Sequence, residues 1–146
     1  MRPHHTESIQ RVTDYFERDP EVLALLLGGS IAHGFEIPAS DVDIMIFVSD
    51  EDHKKRLAEN RIHFFNTELT AYEGGYVDGK YSTQAFVKQV IEKGSEPARF
   101  AFAGCQVLFS KMDDLKMIFV KLRNIQLRID QNASNVSTSL EASVLP

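Results

Sequence analysis

A chain of 146 residues with a formal charge of −5 and 43% hydrophobic residues fits one domain that buries roughly two-thirds of its unfolded surface in a single core. The acidic balance and the lack of a long Lys/Arg run argue against a protein that holds nucleic acid chiefly through its phosphates. Cys105 is the single cysteine, which excludes an internal disulfide and a metal–thiolate cluster within the chain; with no signal-like N-terminus and no run of roughly 18 apolar residues, the expectation is a soluble, cytoplasmic protein without membrane contact.

The first element predicted is a helix over about Thr6 to Arg18, where Ile9, Val12 and Tyr15/Phe16 recur at helical spacing. Asp19-Pro20 ends it. Val22–Leu27 is a continuous apolar run, too short for a helix and closed by Gly28-Gly29, and reads as a strand buried on both faces. Val42–Val48 reads as a second buried strand, after which Ser49 and the acids Asp50, Glu51 and Asp52 open a helix to about Asn60. Ile62–Tyr72 and Tyr76–Tyr81, separated by Gly74-Gly75, are predicted as an antiparallel pair.

Ser82 is expected to cap a helix that Gly94 stops, Glu96-Pro97 to start a short one closed by Gly104, and Gln106–Phe109 to form a short strand. From Asp113 to Ile129, Leu115, Ile118, Phe119, Leu122, Ile125 and Ile129 make the clearest helical stripe in the chain. Past Asp130 the composition turns to Asn, Ser, Thr and Ala, so residues 1–129 are read as the domain and 130–146 as a disordered tail.

The chemistry concentrates between Leu27 and Val48. Gly28-Gly29-Ser30 ends a strand, and glycines let backbone approach a bulky anion; if Ser30 begins a helix, its hydroxyl and the free N–H groups of the first turn face that anion. Gly-Gly-Ser is also an ordinary turn. Asp41 and Asp43 shift the balance. On a strand, residues i and i+2 project to one side. Two carboxylates about 5 Å apart repel by about 3 kcal/mol at an effective dielectric of 20, which calls for a cation. Mg²⁺ is the hard ion that suits carboxylates, water and substrate phosphates, and no His/Cys cluster suggests zinc.

Asp78 is the carboxylate of the strand Tyr76–Tyr81, with Tyr76 and Lys80 on its side. Asp78 is expected either to ligate metal or to take a proton from an attacking hydroxyl, and Lys80 to meet a phosphate or offset local charge; a solvated hairpin strand carries the same pattern. His33, within the turn, either touches a phosphate or is solvated. Cys105, with no basic neighbour in sequence, is read as a buried inert thiol.

Gly28-Gly29-Ser30-Ile31-Ala32-His33-Gly34 followed by Ser40-Asp41-Val42-Asp43 resembles the signature of the polymerase-beta-like nucleotidyltransferase superfamily, and Tyr76–Ser82 with Gly94–Phe100 is similar to its small-molecule, antibiotic-type members. The resemblance implies an α/β (α+β) fold with a mixed, partly antiparallel sheet and helices packed on it. It assigns Gly29 and Ser30 to the phosphates of a nucleoside triphosphate such as ATP, Asp41 and Asp43 to two Mg²⁺ ions, and Asp78 to the third acid. The activity implied is Mg²⁺-dependent transfer of a nucleoside monophosphate to a hydroxyl on a small molecule. The antibiotic-type relatives carry a further helical domain that helps hold the acceptor. The chain matches them without it, which leaves acceptor binding to a second subunit, such as a homodimer mate, or to another protein, or leaves it lost. Minimal members paired with toxins supply the alternative, an antitoxin or regulatory module that binds or nucleotidylates a partner protein. Dinucleotide binding fails for want of Gly-x-Gly-x-x-Gly, and a P-loop for want of Gly-Lys-Ser/Thr.

Overall fold

The computed structural model describes residues 1–144, with side chains as far as residue 138. Strands β1 (Ala24–Leu27), β2 (Val42–Phe47), β3 (His63–Asn66), β4 (Val77–Ser82) and β5 (Gln106–Ser110) form one sheet in the order β3-β4-β2-β1-β5. Helices α1 (Pro3–Glu17), α2 (Gly29–His33), α3 (Asp50–Ala58), α4 (Gln84–Lys93), α5 (Glu96–Ala103) and α6 (Leu115–Val144) complete a mixed α+β fold, as expected. The sheet is mixed. β1 is antiparallel to both β2 and β5, β3 is antiparallel to β4, and β2 and β4 run parallel.

All four residues of β1 are buried, and strand alternation divides them between two cores. Leu25 and Leu27, with Val42, Ile44 and Ile46, meet Ile9, Val12 and Phe16 of α1 on one face. Ala24, Leu26 and Phe47 meet Val87 and Val90 of α4, Phe102 of α5, and Leu115, Ile118, Phe119 and Leu122 of α6 on the other. The long amphipathic stripe thus finds its partner in the second face. Leu122 is fully buried there, so Leu122→Ala is expected to cost about 2–5 kcal/mol, read as a lower urea midpoint at unchanged m-value; a midpoint equal to wild type would show that α6 does not dock as described.

Helices α4, α5 and α6 cover β1, β5 and part of β2 on that second face, while the β3–β4 side stays open. His63 and Phe65 of β3 stand opposite Lys80 and Asp78 of β4, and all four side chains are exposed. This uncovered half-face is where the acids lie. Among the described residues no helix is long and apolar enough to cross a membrane.

Three local expectations are corrected. α4 is capped by Thr83, whose Oγ1 accepts from Phe86 N–H (3.2 Å), because Ser82 is still paired in β4 opposite Phe47. β3 ends at Asn66, well short of Tyr72, since the Asn66 side-chain oxygen accepts from the N–H groups of Glu68 and Leu69 (both 2.8 Å) and turns the chain. α6 continues to Val144 through the stretch read as tail; positions 145–146 lie outside the described residues. Residues 131–138 of that extension are exposed, and each residue added to the packed first turns costs little once a helix is nucleated.

Candidate active site

The Gly-Gly-Ser turn forms because β1 stops at Leu27 and Gly29 takes a left-handed backbone (φ 64°), reversing the chain into the short helix α2. Gly28 N–H donates to the Asp43 carbonyl (2.8 Å), which fastens the turn to the side of β2. A Cβ placed on Gly29 would collide with Asp43 Oδ2 and lie 2.7 Å from its Cγ. The glycine is therefore required twice, by its backbone and by the carboxylate resting on it. Ser30 follows as the second residue of α2 and is half-buried.

Asp41 immediately precedes β2, and Asp43 is the second residue of that strand. Parallel pairing of β2 with β4 sets Asp43 directly opposite Asp78, so the register of two strands gathers the three acids. One carboxylate oxygen from each lies within 4.8 Å of the others. Asp41 and Asp43 are half-buried and Asp78 is exposed. The Asp43 carboxyl is pushed up to about 6, first by burial, then by the charges of Asp41 and Asp78, and by a hydrogen bond with Asp41. No ion pair among the described residues reaches any of the three. Three hard oxygen donors with uncompensated charge fit a divalent cation of the Mg²⁺ type.

Lys80 is exposed and stands two residues beyond Asp78 on the same side of β4, opposite Met45 and not opposite an acid. His33 is half-buried and has partners within the chain. Its Nδ1 lies 2.9 Å from the Gly29 carbonyl, its Nε2 3.4 Å from the Phe100 carbonyl, and its ring 5.0 Å from that of Phe100. It bridges α2 to α5, and a Cβ on Gly104 would collide with it. Arg99 donates to the Val90 and Ile91 carbonyls (3.3 and 3.0 Å) and so closes the end of α4. Burial pushes the Cys105 thiol up to about 11, as suits an inert core residue.

Beside Asp43 opens a pocket of about 300 Å³, lined mainly by apolar groups, among them Met45, Phe100, Phe102 and Cys105, with Gly29 and His33 at its rim. Sequence reasoning missed this pocket, as it missed His4, His5 and Tyr72, which hold the chain just ahead of Asp41. Neither set has a spacing signal. Both arise from segments far apart in sequence that the fold brings together.

The sequence family described as "Polymerase beta, Nucleotidyltransferase" matches residues 10–95, more than half of the chain, with Gly29, Ser30 and all three acids inside the match, and the chain belongs to that family. No curated protein matches it in sequence. Among solved structures, a chain of the "Crystal structure of the toxin-antitoxin with AMP-PNP" is similar at 12% identity and a TM-score of 0.40, over 91% of this chain and 98% of that one. A mutant of the toxin–antitoxin MntA-HpeT is similar at 11% identity and a TM-score of 0.37, over the same shares.

Proposed function

We propose that the chain is a Mg²⁺-dependent nucleotidyltransferase that moves a nucleoside monophosphate from a triphosphate such as ATP to a hydroxyl acceptor and releases pyrophosphate. One observation carries this: carboxylate oxygens of Asp41, Asp43 and Asp78 converge within 4.8 Å beside the Gly29-Ser30 turn. The N–H groups opening α2 and the Ser30 hydroxyl hold the β- and γ-phosphates. Asp41, Asp43 and Asp78 would hold the cations. Bound Mg²⁺ would lower the charge on the triphosphate and on the departing pyrophosphate. Asp78, exposed on the open half-face, takes the acceptor's proton as its oxygen bonds the α-phosphorus. The bond from that phosphorus to the bridging oxygen breaks, and pyrophosphate leaves on the Ser30 side. Lys80 offsets charge at the edge of the site.

The experiment is incubation of the full chain with α-labelled triphosphates, Mg²⁺ and candidate hydroxyl acceptors, alongside Asp78→Asn. Wild type should melt higher with Mg²⁺ and its nucleotide. Asp78→Asn should keep some of that shift but lose transfer by about 10²–10⁴-fold. A wild-type melting temperature indifferent to all four triphosphates with Mg²⁺ would sink the proposal.

A second reading, in which the acceptor is a partner protein and the chain serves as an antitoxin or regulatory module, is favoured by α6. Its outer side exposes Met117, Val120 and Leu127 ahead of the extension with exposed side chains. Label that stays with a protein acceptor, and with no small molecule, distinguishes it.

A further inference from the structure

Asp41 stands outside any regular element, at the end of the loop that links α2 to β2. That loop closes on itself at Ser40, whose N–H donates to the Ile37 carbonyl (3.0 Å) and whose hydroxyl accepts from Ile37 N–H (2.9 Å). It is then fastened from outside. His4 Nε2 lies 2.9 Å from the Pro38 carbonyl and His5 Nε2 3.1 Å from the Ser40 carbonyl, while the Tyr72 hydroxyl donates to that same Ser40 oxygen. On the far side of Asp41, Val42 N–H donates to the Tyr76 carbonyl (3.0 Å). Asp41 is thus bracketed, at residues 40 and 42, by residues 72 and 76 of the segment that leads into β4 and Asp78.

The fastening group is itself built in. The Tyr72 ring stands edge-on to His4 (4.6 Å) and His5 (5.3 Å). A Cβ on Gly75 would come within 2.6 Å of the Tyr72 ring carbons, so the chain passes over that ring only as glycine. Ser8, fully buried, donates to the His4 carbonyl (2.7 Å) and accepts from Ala71 N–H (2.8 Å), which locks α1 to the Tyr72 segment. His5 is also fully buried, with Nδ1 unpartnered. An apolar side chain would fill such a position without that cost. What a histidine adds is the Nε2–H donor aimed at Ser40.

We propose that His5 and Tyr72 are positioning residues that hold Asp41, through the Ser40 carbonyl, in the place where a divalent cation takes it up. The inference rests on the reading of the three acids as a metal site. Packing of α1 against the loop would account for the rings alone. It does not account for two side-chain donors meeting on the one carbonyl next to Asp41.

The test uses Mn²⁺ as probe, its binding to the full chain followed by loss of the free-ion EPR signal, with the metal-free melting temperature measured alongside. Tyr72→Phe removes only the hydroxyl. It is expected to weaken Mn²⁺ binding about tenfold, the lower range for groups that orient a metal ligand, while the metal-free melting temperature stays near wild type. His5→Leu should weaken binding similarly, and His5→Gln, which offers an N–H near the lost Nε2, should recover part of it. Wild-type Mn²⁺ affinity in Tyr72→Phe overturns the inference and leaves the three-acid site standing. Failure of the wild-type chain to bind Mn²⁺ overturns both. If His5→Leu does not fold, Tyr72→Phe decides alone.

Discussion

Gly29→Ala is expected to abolish the Mg²⁺-dependent nucleotide response and to lower nucleotidyl transfer by at least about 100-fold, the loss that follows from an ångström-scale misplacement of reacting groups. Alanine at a left-handed backbone position costs about 1–2 kcal/mol, and here its methyl would occupy the place of the Asp43 carboxylate. Either the turn or Asp43 must move, and both belong to the proposed site. The rest of the fold has little stake in the change: Gly29 is exposed and lies in neither hydrophobic cluster. Circular dichroism should therefore match wild type while the thermal shift with Mg²⁺ and nucleotide disappears. A Gly29→Ala chain that binds both as wild type does would show that Asp43 is not a ligand from this position.

Asp43→Asn is expected to remove the metal response as well, yet to make the metal-free chain more stable at neutral pH. The folded chain keeps a proton on Asp43 up to about pH 6, whereas an ordinary aspartate releases it near 3.8. Between those values the folded state binds more protons than the unfolded one, so this group's contribution falls as pH rises from about 4 through 6 and is level above. The carboxylate is only half-buried, so after allowing for solvent screening the difference is about 1 kcal/mol, or about 2–4 °C in melting temperature. Asparagine carries no such penalty, and its melting curve should lack this slope. Mg²⁺ acts in the opposite sense in wild type, stabilising the ionised site and displacing the proton, so its affinity should weaken about tenfold for each pH unit below 6. Melting scans from pH 4 to 8, with and without Mg²⁺, read both effects. Identical slopes in Asp43→Asn and wild type would remove Asp43 as their source.

Those two residues are also where the sequence was most informative. Gly28-Gly29-Ser30 closing an apolar run and Asp41 with Asp43 opening another are local patterns, and local patterns carry the strands and the turn between them. The partner strand of β2 is not local. Nothing in Val42–Phe47 or Val77–Ser82 announces that they pair in parallel, and that pairing is what sets Asp78 opposite Asp43. The misplaced boundaries have the same origin. Adjacent hydroxyls at Ser82 and Thr83 are equivalent caps until strand pairing claims the first. Asn66 lies inside the run Ile62–Tyr72 that reads as one strand, and it is the residue that ends it. His5 and Tyr72 meet at Ser40 only because α1 and the segment before β4 pack on the same loop.

The opposition of Asp43 and Asp78 also bears on how the protein comes into being. Chain closure between β2 and β4 must bring together segments separated by all of α3 and β3, a non-local step of the kind that folds late. A nascent chain that has emerged only as far as β3 carries the Gly-Gly-Ser turn and two acids but no third. The centre is thus an emergent property of completed strand pairing, absent from every N-terminal fragment that ends before β4, and a ribosome-bound intermediate of that length has no three-carboxylate site with which to act on a nucleotide.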